Sequence, residues 1–437
     1  MYEMTAAVTF TAWGALAGLI LAVVLILLKV TPAYGLIAGA LAGGLIGCLG
    51  SGIAPGMMLS GTVDAMIAGA ADMMPSVVRI LASGILAGAL METGAAERIA
   101  DGMVRLLGKK RAVFAVALSS AVICAVGVFA DIAVITAAPI ALLVGRQAGI
   151  SKPGMLLAMI GGVKAGNILS PNPNTIAAAE AFGIDMTALM LENAVPALLA
   201  LAVTVWIASH LGKSGSPCAL PAEETRKEKS ADGKPMPGIV SSVCGPLLVL
   251  VLLSLRPIAG IGIDPLIALP AGGLLCILAT KNARRLPAIL ASGIEKVTGV
   301  AVLLIGTGAL AGIIRASSLQ TDMVRVLETF RLPAFLLAPI SGIFMAAATA
   351  STTAGATIAS ETFAPVLTGA GVRAASAAAM VHAGATVFDS LPHGSFFHAT
   401  GGAVFMDTRE RMRLLVWEAL VGLTSTAAAV GMYFLTA

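Results

Sequence analysis

The sequence predicts an all-α polytopic membrane protein made of two halves with opposite topology, and three observations carry that prediction. The 437-residue chain is 58% hydrophobic and only 11% charged, with a mean hydropathy of +0.96, far from the balance of a soluble domain. Apolar runs of about 17 to 25 residues recur along it, each able to cross a hydrocarbon core of roughly 30 Å as a helix. The two halves also resemble each other at a nearly constant spacing.

The elements follow in order. Spans fall at 12–30, 33–50 and 76–95. The apolar stretch 112–145 is too long for one crossing and is interrupted by GVFAD (127–131), so it forms a re-entrant helical hairpin. A fourth span covers 153–183 and a fifth 191–211. A hydrophilic stretch rich in Ser, Pro, Gly and charge, 212–238, joins the halves as a linker. The second half repeats the plan, with spans at 239–254, 264–280 and 297–316, a hairpin at 333–368 interrupted by TASTTAG (349–355), and spans at 373–405 and 412–435. Amphipathic stretches at 96–111 and 321–331 precede the hairpins as interfacial helices.

Internal similarity supports this division into repeats at 1–211 and 239–437. LAGALMETGAAERIADGMVRLL (86–107) matches LAGIIRASSLQTDMVRVL (310–327), API at 138 matches APV at 364, and SPNPN at 170 falls opposite SLPHG at 390. The offset stays between 220 and 226. Five crossings per half is an odd number, so the second copy inserts upside down. On this topology 20 basic residues gather on one side and six on the other. Lys/Arg excess marks the cytoplasmic face, which puts the linker inside and both termini outside.

Other classes find little support. The net charge of +4 is spread over loops and fits no nucleic-acid partner. Cys48, Cys124, Cys218, Cys244 and Cys276 are far apart, with no metal-like spacing, and serve packing. No P-loop or HExxH occurs, so the chain is expected to be neither an ATP-driven pump nor an enzyme, without metal or cofactor. The first apolar run lacks the marks of a cleaved leader and is expected to be retained.

The chemistry concentrates where the helices break. In KAGNILSPNPNTIAAAE (164–180), Pro171 and Pro173 must interrupt the span. Freed peptide groups at that depth are tolerated only where protein or a water-filled cavity satisfies them. Asn167, Ser170, Asn172, Asn174 and Thr175 supply polar side chains there, and the half-helix starting near Thr175 aims its amides at the gap, which suits an anion. The second half breaks at the matching place, ATVFDSLPHGSFFHATGG (385–402), with Asp389, Ser390, His393 and Ser395. Paired discontinuous helices point to the substrate site of a secondary transporter. The hairpin tips add Asp131, Ser351, Thr352 and Thr353.

Lys164 is costly within a span and needs a partner. Asp131, Asp389 or a substrate carboxylate would serve, and a bridge that only fixes packing is the plain alternative. Asp389 is the expected proton carrier, with His393 as competitor. Asp131 divides between coupling and capping its hairpin tip. The hydroxyls at 351–353 leave sodium open as the coupling ion. His382, among small residues, is either a hydrogen-bonded core histidine or a participant.

At these residues the chain resembles the gluconate:proton symporter (GntP-type) permease family of the ion-transporter superfamily. The likeness is carried by DIAVITAAPIALLVGRQAGISKPGMLLAMIGG (131–162), by the Pro-rich break with TIAAAEAFGID (175–185), and by FDSLPHGSFF (388–397). Where many members show Pro-Pro-Thr-Pro-Gly, this chain has Ser170-Pro171-Asn172-Pro173-Asn174, a polar site that need not fit a six-carbon sugar acid. The resemblance implies proton-coupled uptake of small hydroxylated carboxylates across the bacterial inner membrane. It also implies a scaffold domain, a mobile transport domain holding both hairpins, an elevator-type movement and a homodimer. A sodium-coupled organic-anion transporter or an ion antiporter of the same superfamily is the alternative.

Overall fold

The computed structural model describes residues 9–49, 55–108, 111–218, 236–319, 321–322, 325, 329, 333–392 and 394–436. His393, most of the linker and most of the stretch 321–331 lie outside them. Among the described residues the chain is helical, with only two isolated bridges, Phe10 to Ser317 and Ser151 to Pro217.

The first half holds α1 (Ala12–Leu27), α2 (Pro32–Cys48), α3 (Pro55–Asp72), α4 (Met74–Glu92), α5 (Ala95–Leu107), α6 (Ala112–Ala125), α7 (Ala130–Ala148), α8 (Lys152–Leu169), α9 (Pro173–Ala181), α10 (Met186–Glu192) and α11 (Ala194–Leu211). The second holds α12 (Ile239–Ala259), α13 (Pro265–Ala279), α14 (Leu286–Arg315), α15 (Leu337–Thr349), α16 (Thr352–Gly369), α17 (Ala374–Gly384), α18 (Ser395–Ala403) and α19 (Thr408–Thr436). Among the described residues, five helices are long and apolar enough to cross a membrane: α4, α7, α11, α14 with its preceding turn, and α19. Several shorter helices, among them α1, α2, α6 and α13, are equally apolar.

Two helices differ from the expected spans. α3 is a full helix where none was expected, because Ser60, Thr62, Asp64 and Asp72 dilute its apolar pattern. Thr62 is nevertheless buried, its hydroxyl donating to Met58 O at 2.7 Å, a turn back. α14 starts at Leu286 rather than near 297, since Glu295 and Lys296 are exposed on its outer face and do not end it. One basic residue assigned to the cytoplasmic face, Arg411, is instead buried, paired with Glu418 and stacked 4.8 Å over the Phe397 ring.

Small residues set the helix packing, as expected where lipid tails are as apolar as leucine. α14 runs antiparallel to α3 and α4 along a glycine seam. A β-carbon on Gly69 would lie 2.2 Å from Gly308 O, and one on Gly293 would lie 2.2 Å from Gly84 O. Gly69 also meets Gly312, and Gly88 meets Gly293. Each hairpin docks on the broken helix of its own half in the same way. Gly162 of α8 approaches Ala117 O of α6, and Gly384 of α17 approaches Pro339 O of α15.

Candidate functional site

Four helices start around one cavity. α7 begins at Ala130, α9 at Pro173, α16 at Thr352 and α18 at Ser395. The cavity of about 170 Å³ is lined by residues at or beside each of these starts: Asp131, Asn172 and Asn174, Ser351 to Thr353, and Ser395. Lys164, Asn167 and Asp389 complete its polar wall.

Local chemistry dictates each start. Pro173 occupies the first position of α9, where a missing N–H costs nothing, and Asn172 caps that helix by accepting from Thr175 N at 3.1 Å. Ser351 caps α16 through Ala354 N at 3.3 Å. The preceding Ala350 holds a left-handed φ of 47°, a strained turn for a residue with a β-carbon. Gly394 is packed against that turn, since a β-carbon there would lie 2.5 Å from the Ala350 methyl.

Lys164 is buried and donates to Thr386 O and, at 2.5 Å, to Asp389 Oδ1. Among its three candidate partners, the pair formed is therefore with Asp389. That carboxylate also accepts from Thr352 at 2.7 Å and Ser390 at 2.8 Å. Two of the three ammonium N–H groups are thus engaged, and Lys164 still lines the cavity.

The asparagines bond chiefly to one another. Asn167 Oδ1 accepts from Asn172 at 2.6 Å and from Asn174 at 3.1 Å. Asn174 Oδ1 in turn accepts from Thr353 at 2.5 Å, tying the first break to the tip of the second hairpin. This frame ties the start of α9 to the start of α16.

Most of the expected site residues meet here, but not all. Thr175 and Ser170 lie behind the break, where the Thr175 hydroxyl donates to Ser170 O at 2.7 Å. Ser390 touches the site only through Asp389. Asp131 accepts from Ile132 N at 2.9 Å while lining the cavity. His382 is fully buried, and neither ring nitrogen has a partner among the described residues, so it is no hydrogen-bonded core histidine. The apolar wall of Phe129, Val163 and Phe396, and the Thr386 carbonyl, had no sequence signal.

A second cavity, about 210 Å³, is lined by Arg79, Glu180, Ile184, Asp185 and Asp264. Its size does not make it the better substrate site. Arg79 is committed to Glu180 and, at 3.0 Å, to Asp264.

Comparison with known proteins agrees with this architecture. The profile of the GntP family permeases matches residues 13–265. The chain is 49% identical to an uncharacterised transporter of Haemophilus influenzae over 96% of its own length and 97% of that protein. It is 26% identical to a gluconate permease of Pseudomonas aeruginosa over 48% of its length and 47% of the permease. Among solved structures it resembles the YdaH transporter of Alcanivorax borkumensis, with a TM-score of 0.62 and 17% identity over 86% of this chain and 88% of that one, a likeness of fold.

Proposed function

The chain belongs to the GntP permease family, a family of membrane transporters rather than enzymes, and from that premise we propose that it takes up a small hydroxylated carboxylate of the gluconate class together with a proton. The observation that carries this reading is the meeting of four helix N-termini and one lysine on a single cavity. Each N-terminus presents partial positive charge and unpaired amides, a ready-made receptor for a carboxylate. Gluconate enters the reading because a relative similar over about half the chain carries that name.

The Lys164 pair supplies a coupling device. A substrate carboxylate reaching the third N–H of Lys164 competes with Asp389, and a buried carboxylate losing its counter-charge takes up a proton. One anion and one proton then travel together with no net charge. The sodium alternative draws on Ser351, Thr352 and Thr353, whose hydroxyls are already engaged with Ala354 N, Asp389 and Asn174.

The reading includes inverted repeats, and matching spacings support them. α7 and α16, and likewise α9 and α18, start 222 positions apart. Gly69, Gly84 and Gly88 lie 224 positions before Gly293, Gly308 and Gly312, and exchanging the two sets maps the seam contacts onto each other, as a two-fold axis requires. We take the hairpins and broken helices (α6–α9 and α15–α18) as the moving body and α1–α4 with α12–α14 as the scaffold of an elevator-type homodimer. The setting is the bacterial inner membrane, with the linker 212–238 cytoplasmic and both termini outside, as the positive-inside asymmetry supports.

The test is thermal-shift screening of purified protein against gluconate, glycerate, lactate, 3-hydroxybutyrate and D-serine, followed by uptake in proteoliposomes under separate pH and sodium gradients. Stabilisation by a hydroxy acid and accumulation driven by the pH gradient alone are expected. Accumulation that needs sodium and ignores pH would overturn the proton reading.

A further inference from the structure

The second hairpin carries a polar feature outside the cavity. On α16, Thr353, Thr357, Ser360 and Glu361 stand at i, i+4, i+7 and i+8, on one face of the helix. The stripe starts at cavity-lining Thr353 and runs about 12 Å along the axis, at roughly 1.5 Å per residue. Thr357 and Ser360 are 0% exposed and Glu361 is 7% exposed. Among the described residues, both hydroxyls and Glu361 Oε1 lack a hydrogen-bond partner. Three neighbouring buried oxygens in that condition are unusual, because each has given up water without replacement. A proton on Glu361 and water beside the hydroxyls would satisfy all three.

Among the described residues, the surroundings do not offer Glu361 an uncommitted counter-charge. α9, α14, α15 and α17 pack against α16. The charges that act on Glu361 are Arg315 at the end of α14, Glu180 on α9 and Asp72 at the end of α3. Arg315 is paired with Asp72 at 2.9 Å, and Glu180 with Arg79. α15 holds no titratable side chain and α17 only His382.

We propose that Glu361 loads the coupling proton and that the α16 stripe hands it to the substrate cavity. The proton leaves the Glu361 carboxyl and moves by exchange of O–H bonds through Ser360 and Thr357 on the stripe. It crosses intervening water to Thr352, beside the stripe at the helix start, and arrives on Oδ2 of Asp389, which accepts from Thr352 at 2.7 Å. Glu361 is left as a carboxylate. It recovers a proton through the neighbouring second cavity, which Glu180 lines. This inference rests on the proton-coupled reading and adds to it a proton-carrying residue that never touches substrate.

The experiment uses full-length protein in proteoliposomes with labelled gluconate as probe. Glu361→Gln is expected to lose pH-driven accumulation by at least about tenfold, while gluconate counterflow, which needs no net proton movement, and the gluconate thermal shift stay at wild-type level. Infrared difference spectra after a pH jump should lose a protonated-carboxyl band in this variant, which a merely structural role would not remove. Glu361→Gln with wild-type accumulation overturns the inference. Should that variant fail to fold, Thr357→Val combined with Ser360→Ala carries the test, and full coupling there overturns it equally. A wild type whose gluconate uptake ignores the pH gradient sinks the parent reading instead.

Discussion

Lys164 and Asp389, 225 positions apart in sequence, form a buried ion pair at 2.5 Å that joins the two broken helices across the cavity. Removing one partner strands a buried charge, which typically costs 3–5 kcal/mol, whereas replacing both with apolar residues is often neutral. Lys164→Met should therefore lower stability by about 3–5 kcal/mol, and Lys164→Met with Asp389→Leu should regain most of it. Thermal unfolding in detergent checks this. Both variants should lose uptake, and Asp389→Asn should stay folded while losing pH-driven accumulation.

Thr353 and Asn174 tie a hairpin tip to the first break. Thr353→Val removes the donor and leaves a buried acceptor unsatisfied, a loss of about 1–3 kcal/mol. Because both residues line the cavity, the substrate KM should rise at least about tenfold if 1.4 kcal/mol reaches binding. Cys124→Ala, whose thiol is 4.0 Å from Asn167 Oδ1, should change KM little. Transport kinetics of the two variants side by side are the check.

The glycine seam between α14 and α3–α4 allows no side chain. Gly293→Ala would put its methyl against Gly84 O, and overpacking of this kind costs about 1–3 kcal/mol. Gly299 on the same helix has open space around its would-be β-carbon. Gly299→Ala should be neutral or slightly stabilising, since alanine gains helix propensity of about 1 kcal/mol over glycine. Unfolding midpoints of the two variants decide it.

Cys218, just past α11, is 4% exposed. Burial pushes its thiol up to about 11, so the reactive thiolate is scarce at neutral pH. Cys218 should resist maleimide at pH 7 in the folded protein and react once denatured. Mass spectrometry of labelled peptides measures this.

Much of this site was legible because breaks in a membrane helix leave an unmistakable mark. Pro171 and Pro173 announce an interruption, and Lys164 inside a span announces a partner. Spacing alone could not choose among Asp131, Asp389 and a substrate, since that choice depends on how α8 and the second break face each other. Nor could it reveal that Asn172 and Asn174, while lining the cavity, commit their side chains to Asn167 and Thr353. α3 was missed because its hydroxyls and carboxylates dilute the apolar run, although Thr62 satisfies itself on its own helix. The α16 stripe was not read from the sequence, because the missing partners of Thr357, Ser360 and Glu361 that single it out are a property of packing.

The central claim, that the organic anion sits among the four helix starts, is tested most directly by substrate protection of one engineered thiol. In a transport-competent background without native cysteines, Ser395→Cys should react with maleimide, and gluconate should slow that reaction, while Leu106→Cys on the exposed face of α5 should be unaffected. Equal labelling at 395 with and without gluconate, in protein that still transports it, would contradict the account.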